Sequence, residues 1–253
     1  MQLACRKCGW KNDAQARECA RCGVIFAQLK RTPPPAVVGV AEELAVAREA
    51  SPSWLRRWVG EHLLHIPADT SEVEVVGRGL VWTLLAYWGS THPWLDVMEG
   101  EINNTFLHRV NLVFHEAGHI IFGVFGDFVG VAGGTLGQLV MPAMVLVAFV
   151  VKHRNSFGGA VALWWLGQSC LDVAPYACDA RKEELILLGG VTGKEADGFH
   201  DWNNMLGRLD LLQWDMTIGW GFWGAGVGMM GLALAWGAWL LWKQWGVARG
   251  QRF

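Results

Sequence analysis

Between Asn111 and Ile121 the chain reads NLVFHEAGHII, a His-Glu-x-x-His motif set in one of the most apolar stretches of the sequence. On a helix, His115 and His119 lie one turn apart and about 40° apart around the axis, so both imidazoles can reach one ion. Glu116, beside the first histidine, is placed to act as a base toward water at that ion, not as a third ligand. Phe106, Leu107, Val110, Leu112, Val113 and Phe114 precede the motif, and Ile120, Ile121, Phe122, Val124 and Phe125 follow it. Two histidines and a glutamate are costly in a lipid-immersed helix unless they face protein interior or water, which makes the cluster a functional candidate. Asn104, His108, Asn111 and His115 recur at helical spacing and draw a polar stripe. The stripe either lines a path for water or packs as a polar seam on a neighbouring helix.

Composition agrees with a membrane setting. Of 253 residues 52% are hydrophobic and 17% charged, with 16 Trp against 2 Tyr. A formal net charge of -2 gives no electrostatic reason to expect nucleic acid as a partner. The first 26 residues carry charges and cysteines where an export signal needs an apolar core, so the N-terminal region is expected in a reducing cytosol.

Cys5, Cys8, Cys19 and Cys22 form C-x2-C-x10-C-x2-C, with Gly9 and Gly23 after each pair. Two such knuckles make a tetrahedral four-thiolate zinc site, the glycines permitting the turn after each second sulfur. A module this small has almost no hydrophobic core, so the metal supplies its folding energy. The site is closed, and residues 1–28 are expected to act as a zinc ribbon that docks a cytosolic partner.

Residues 29–74 read as a Pro-rich linker with a short charged helix, followed by an amphipathic helix from Trp54 that lies at headgroup level. Residues 75–245 are expected to form a polytopic helical membrane domain with four or five crossings, and residues 246–253 a tail. The fold class is therefore mainly α, with a small zinc ribbon in front. Its apolar segments are Leu80 to Leu95, Thr105 to Gly126, Leu139 to Val151, Phe157 to Cys178 and Met216 to Trp242. The glycine-rich run from Gly126 to Gly137 reads as a linker or as an extended segment that offers backbone to a peptide. In the last segment, Gly224 and Gly228 have the spacing for close helix packing.

A two-histidine site needs a third ligand. Gln168, Asp172, Pro175 or Tyr176, and Asp179 share one face of the segment starting at Phe157. If Thr105 and Phe157 enter from the same side, the motif histidines lie about 15 to 21 Å deep and Asp172 about 22 Å, whereas Asp179 reaches the far interface. Asp172 is thus the expected third ligand, with Asp179 and His200 as alternatives. His200 also reads as a neighbour of the next helix start, for which Asp201 is a good N-cap.

The HEAGH motif on a first core helix, a second crossing and an Asp-bearing third helix resemble the site-2 protease family of intramembrane zinc metalloproteases, over roughly Thr105 to Ala180. The resemblance implies that His115, His119 and Asp172 bind catalytic zinc, that Glu116 is the general base, and that a peptide bond of a membrane-spanning substrate is cut. The third helix departs from the family: QSCLDVAPYACDA lacks its usual Asn-x-x-Pro approach to an Asp-Gly pair. The alternative is a non-catalytic membrane scaffold or assembly factor whose ribbon binds a partner.

Overall fold

The computed structural model describes residues 2–28, 53–196 and 198–251, and the chain divides into two units, 1–53 and 54–253. The Pro-rich linker and its short charged helix fall outside the described residues.

In the first unit β1 (Gln2–Ala4) and β2 (Lys11–Asp13) pair antiparallel, with Leu3 opposite Asn12. The two Cys-x2-Cys loops repeat one geometry. Gly9 N–H donates to the Cys5 carbonyl and Gly23 N–H to the Cys19 carbonyl, each at 2.8 Å. Both glycines are left-handed, at φ 75° and 69°, a conformation that costs any other residue about 1–2 kcal/mol. Here the sequence expectation and the structure coincide.

The second unit is helical: α1 (Trp54–His62), α2 (Glu72–Thr91), α3 (Phe106–Gly123), α4 (Asp127–Val147), α5 (Ser156–Cys178), α6 (Asp201–Arg208) and α7 (Asp215–Ala248). Ser71 caps α2, Thr105 caps α3 and Asn155 caps α5, each side chain accepting a backbone N–H from the first turn. Seventeen of the 23 residues of α5 are buried, so α5 is the central helix. It packs mainly on α7, then on α4, while α3 packs on α4 and α2 on α7.

The run from Gly126 to Gly137 is neither linker nor extended segment; it is the first half of α4. Its glycines are explained by the partner helix. A Cβ on Gly118 of α3 would stand 2.0 Å from the Gly133 carbonyl oxygen, and one on Gly137 2.4 Å from that of Phe114. The α3 and α4 backbones therefore touch along a glycine seam, the small-residue device of membrane helix pairs. The glycines of α7 work the same way at other positions than expected. Nothing lies near a Cβ on Gly224 or Gly228, whereas one on Gly219 would meet Cys178 and the Ala174 carbonyl of α5, and one on Gly226 the Gly167 carbonyl. Gly219, Gly226, Ala233 and Leu240, all buried, mark the inner seam of α7 at seven-residue steps.

Only two stretches among the described residues are long and apolar enough to cross a membrane by composition, Asp127–Lys152 and Leu212–Ala248, which does not support the expected four or five crossings. The reason lies in which way side chains face. In α3 and α5 most polar groups point inward, with Arg109 of α3 the exposed exception: Asn111, His115, Gln168, Ser169 and Asp172 are buried, while Phe106, Val113, Ile120 and Ile121 are exposed. These polar residues lower the mean hydropathy of both helices although much of the outward surface is apolar.

Candidate metal centre

His115 and His119 face α4 and α6 from adjacent turns of α3. Asp201, in the first turn of α6, brings Oδ2 to 3.0 Å from Nε2 of His115 and 3.3 Å from Nε2 of His119. These three side chains form a group able to hold a metal ion. The separations match the edge of a tetrahedral site with bonds of 2.0–2.1 Å, about 3.3 Å.

Two further features fit an ion. The remaining ring nitrogens are tied: His119 Nδ1–H donates to the Gly130 carbonyl at 2.9 Å, and His115 Nδ1–H to Gln138 Oε1 at 3.4 Å. Such bonds fix the tautomer that leaves Nε2 free to ligate. Gly134 of α4 faces both Nε2 atoms, and a Cβ there would come within 2.5 and 2.6 Å of them. The missing side chain keeps the space in front of the imidazoles clear. Glu116 is half-buried and close enough to His119 and Tyr176 to act on both electrostatically.

Asp172 does not occupy the third position. Its carboxylate accepts from His108 Nδ1 at 2.9 Å, Asn111 Nδ2 at 3.2 Å and Gln138 Nε2 at 2.7 Å. It reaches His115 only through Gln138. Asn111 is itself saturated, donating also to Gln168 Oε1 and accepting from Trp165 and Ser169. Of the polar stripe, His108 and Asn111 thus form a seam packed on α5, whereas His115 turns to Gln138 and Asp201 and Asn104 is exposed ahead of α3. Asp172 lies near the level of the motif histidines, but its direction and full set of hydrogen-bond partners keep it behind the His115, His119 and Asp201 group.

Neither alternative belongs to the His115, His119 and Asp201 group. Asp179 closes α5, accepting the N–H groups of Glu184 and Leu185, and its Oδ2 lies 3.3 Å from Nε2 of His200. Burial would raise the Asp179 carboxyl, but His200 and the two N–H groups outweigh it and hold the group below the usual carboxylate range. His200, not Asp201, caps α6: its Nδ1 accepts the Asn203 N–H at 3.1 Å. That releases the Asp201 side chain to turn toward the histidines, while its N–H donates to the Tyr176 hydroxyl at 2.9 Å. Behind it Trp202, Met205 and Leu206 pack on Val173, Ala177 and Ala180 at the end of α5. The short helix is therefore docked by its apolar side and contributes its acid from the other.

In the first unit the Sγ atoms of Cys5, Cys8, Cys19 and Cys22 all lie within 4.8 Å of one another and no disulfide joins them. The pairs Cys5–Cys22 and Cys8–Cys19 stand 3.7 and 3.6 Å apart, against about 3.8 Å for the edge of a tetrahedron with 2.3 Å metal–sulfur bonds. Asn12, buried behind them, points Nδ2 at Cys19 Sγ and accepts the Ala20 N–H on Oδ1. Burial raises the Cys19 thiol, but the N–H groups of Cys22 and Arg21 and the thiols of Cys5 and Cys8 bring it down to about 6.

No protein-family model, curated protein or solved structure matches the chain.

Proposed function

We propose that the helical unit is an intramembrane zinc metallopeptidase and that the four-cysteine unit is a structural zinc ribbon. The observation that carries the reading is the convergence of His115, His119 and Asp201 on one point in front of Gly134. Two imidazoles, one carboxylate and an open side are the donor set of hydrolytic zinc sites, whereas four thiolates make a closed structural one.

Bound zinc supplies Lewis acidity for a carbonyl and makes water acidic near neutral pH. The chain provides the rest. Glu116 takes the proton of the attacking water and delivers it to the leaving amine, a role worth typically ~10²–10⁴ in rate. Gln138, held by Asp172, keeps His115 in its ligating tautomer. Tyr176 and His200 hold the start of α6 so that Asp201 stays in reach.

The membrane setting is supported by inverted polarity: buried Asn111, Gln138, Gln168 and Asp172 against exposed Val76, Leu80, Leu84, Val113, Ile120, Val140, Val147 and Leu232. Apolar surface spread over several helices is what lipid, not water, would cover. In this reading α2, α3, α4, α5 and α7 all lie in the bilayer and the substrate is a membrane-embedded peptide segment.

The test is full-length protein in phospholipid vesicles with a set of single-span reporter segments. Wild type cleaves at least one of them, and Glu116→Gln cleaves none while retaining its metal. Undiminished cleavage by the Gln variant would overturn the role given to Glu116. Metal-loaded wild type that cleaves nothing in the set would favour the scaffold reading.

A further inference from the structure

A polar cavity of about 210 Å³ lies where α2, α5 and α7 meet the end of α4. That is many times the ~10–15 Å³ that admits one water, so it has room for a polyatomic solute. Arg78, Arg154, His65, His153, Asn155 and Gln244 line it, and no acidic residue does. Arg78 is held in place by the buried Gln244, whose Oε1 accepts from Nη1 at 2.8 Å, and its other terminal nitrogen donates to the half-exposed Glu74. Arg154 forms no ion pair among the described residues. It stands in the left-handed region, at φ 48°, two residues after the π-helical turn Ala148–Lys152. An arginine at positive φ is uncommon and stores strain, which is found where a side chain must be aimed. Asn155, the N-cap of α5, closes the wall at the positive end of a 23-residue helix. Guanidinium groups, imidazoles, an amide and a helix N-terminus around one space form a donor-rich, cationic receptor.

The surroundings indicate where an anion would come from. The segment after α1 is pinned to the bundle beside the cavity: Ser156 Oγ donates to the His62 and His65 carbonyls, and Trp236 Nε1 to that of Leu63. Helix α1 exposes Trp54, Leu55 and Trp58, the apolar side of a helix that lies at headgroup level. On α7, Lys243 lies over Trp242 and Arg249 over Trp245, the aromatic and basic company of a membrane interface.

We propose that this cavity binds a phosphate-bearing anion, with Arg78 and Arg154 gripping the phosphoryl oxygens, and that in the bilayer the ligand is the headgroup of an anionic phospholipid. Basic pockets between helices at the interface recognise such headgroups. The phosphate chemistry is independent of the metal centre; the lipid source rests on the membrane reading.

The test is thermal unfolding of the full-length protein in neutral detergent, titrated separately with short-chain phosphatidylglycerol, short-chain phosphatidylcholine and inorganic phosphate. Wild type gives a saturable rise in Tm with phosphatidylglycerol and little with phosphatidylcholine. Arg154→Gln combined with His153→Gln, both exposed positions, weakens that response at least about tenfold, the effect of losing one charge-assisted contact. Glu116→Gln responds as wild type, which separates this site from the proposed peptidase. If inorganic phosphate reproduces the response, and the double variant abolishes it, free phosphate is a competent ligand; if phosphate has no effect, the lipid is the source. Equal responses to the two lipids, or an unchanged response in the double variant, would overturn the proposal.

Discussion

Asp201 Oδ2 lies 3.0 Å from His115 Nε2 although 86 positions separate them in the chain. The contact depends on His200 capping α6 through its imidazole and on Trp202, Met205 and Leu206 docking the helix on α5. The proposed third ligand is therefore delivered by a short surface helix, while the acid on the central helix serves as a support.

That division can be separated by two substitutions. Asp201→Ala removes a ligand and is expected to empty the helical-unit site in the full-length protein. Asp172→Asn leaves the ligands in place but weakens the hold on Gln138, so metal affinity falls by ~10–100-fold, as for other groups behind a ligand. Competition with a chelator of known affinity ranks them. Greater loss from the Asp172 variant would reverse the assignment.

Gly134→Ala separates the site from the fold. The new methyl meets the far ends of two imidazoles, which can swing away, so the stability cost stays within ~1–3 kcal/mol while metal binding is lost. Gly118→Ala meets the backbone carbonyl of Gly133 instead and forces α3 from α4, with a loss at or above the top of that range. Melting temperatures beside metal content distinguish the two; metal retained by Gly134→Ala contradicts the geometry.

The cap of α5 carries a pH dependence of definite sign. Asp179 is held below its unfolded value of about 3.9. A depressed carboxyl contributes stability that is present above the unfolded pKa and is lost as pH falls through the folded one. Melting temperature should therefore drop below about pH 4, and Asp179→Asn should lower the plateau and flatten that part of the curve. A profile unchanged by the substitution refutes the contribution.

For the ribbon, strong chelation of the full-length protein should unfold residues 2–28 and leave the helices intact, because the thiolate site replaces a core. Near-ultraviolet signals from Trp10, seen by comparison with Trp10→Phe, report the first event and far-ultraviolet circular dichroism the second. Protons are displaced from most of the thiols on binding, so affinity rises with pH. A ribbon that keeps its structure without metal contradicts this account.

The sequence made some features legible and hid others for identifiable reasons. The cysteine knuckles were readable because four ligands and two turn glycines sit at local spacing, and His115 with His119 because one helical turn joins them. The shared face of Gln168, Asp172, Tyr176 and Asp179 was readable from periodicity, and each member does reach α3 or the α6 region. The role of Asp201 was not, since nothing local links positions 119 and 201 and Asp before a helix ordinarily caps it. The one available signal was Trp202, Met205 and Leu206, an apolar stripe able to dock a short helix. The glycines of α4 hide the helix in the sequence because glycine disfavours isolated helices, a preference overridden where two backbones touch.

Zinc stoichiometry of the full-length purified protein tests the central claim most directly, measured beside His115→Ala/His119→Ala and Asp201→Ala. The account predicts about two zinc ions per chain in wild type, one held by the four thiolates and one by the histidines and Asp201. Both variants should retain about one, at the ribbon. A well-folded wild type with only the ribbon's ion, or equal metal content in all three proteins, would contradict the account and leave His115, His119 and Asp201 as a hydrogen-bonded cluster inside a helical scaffold.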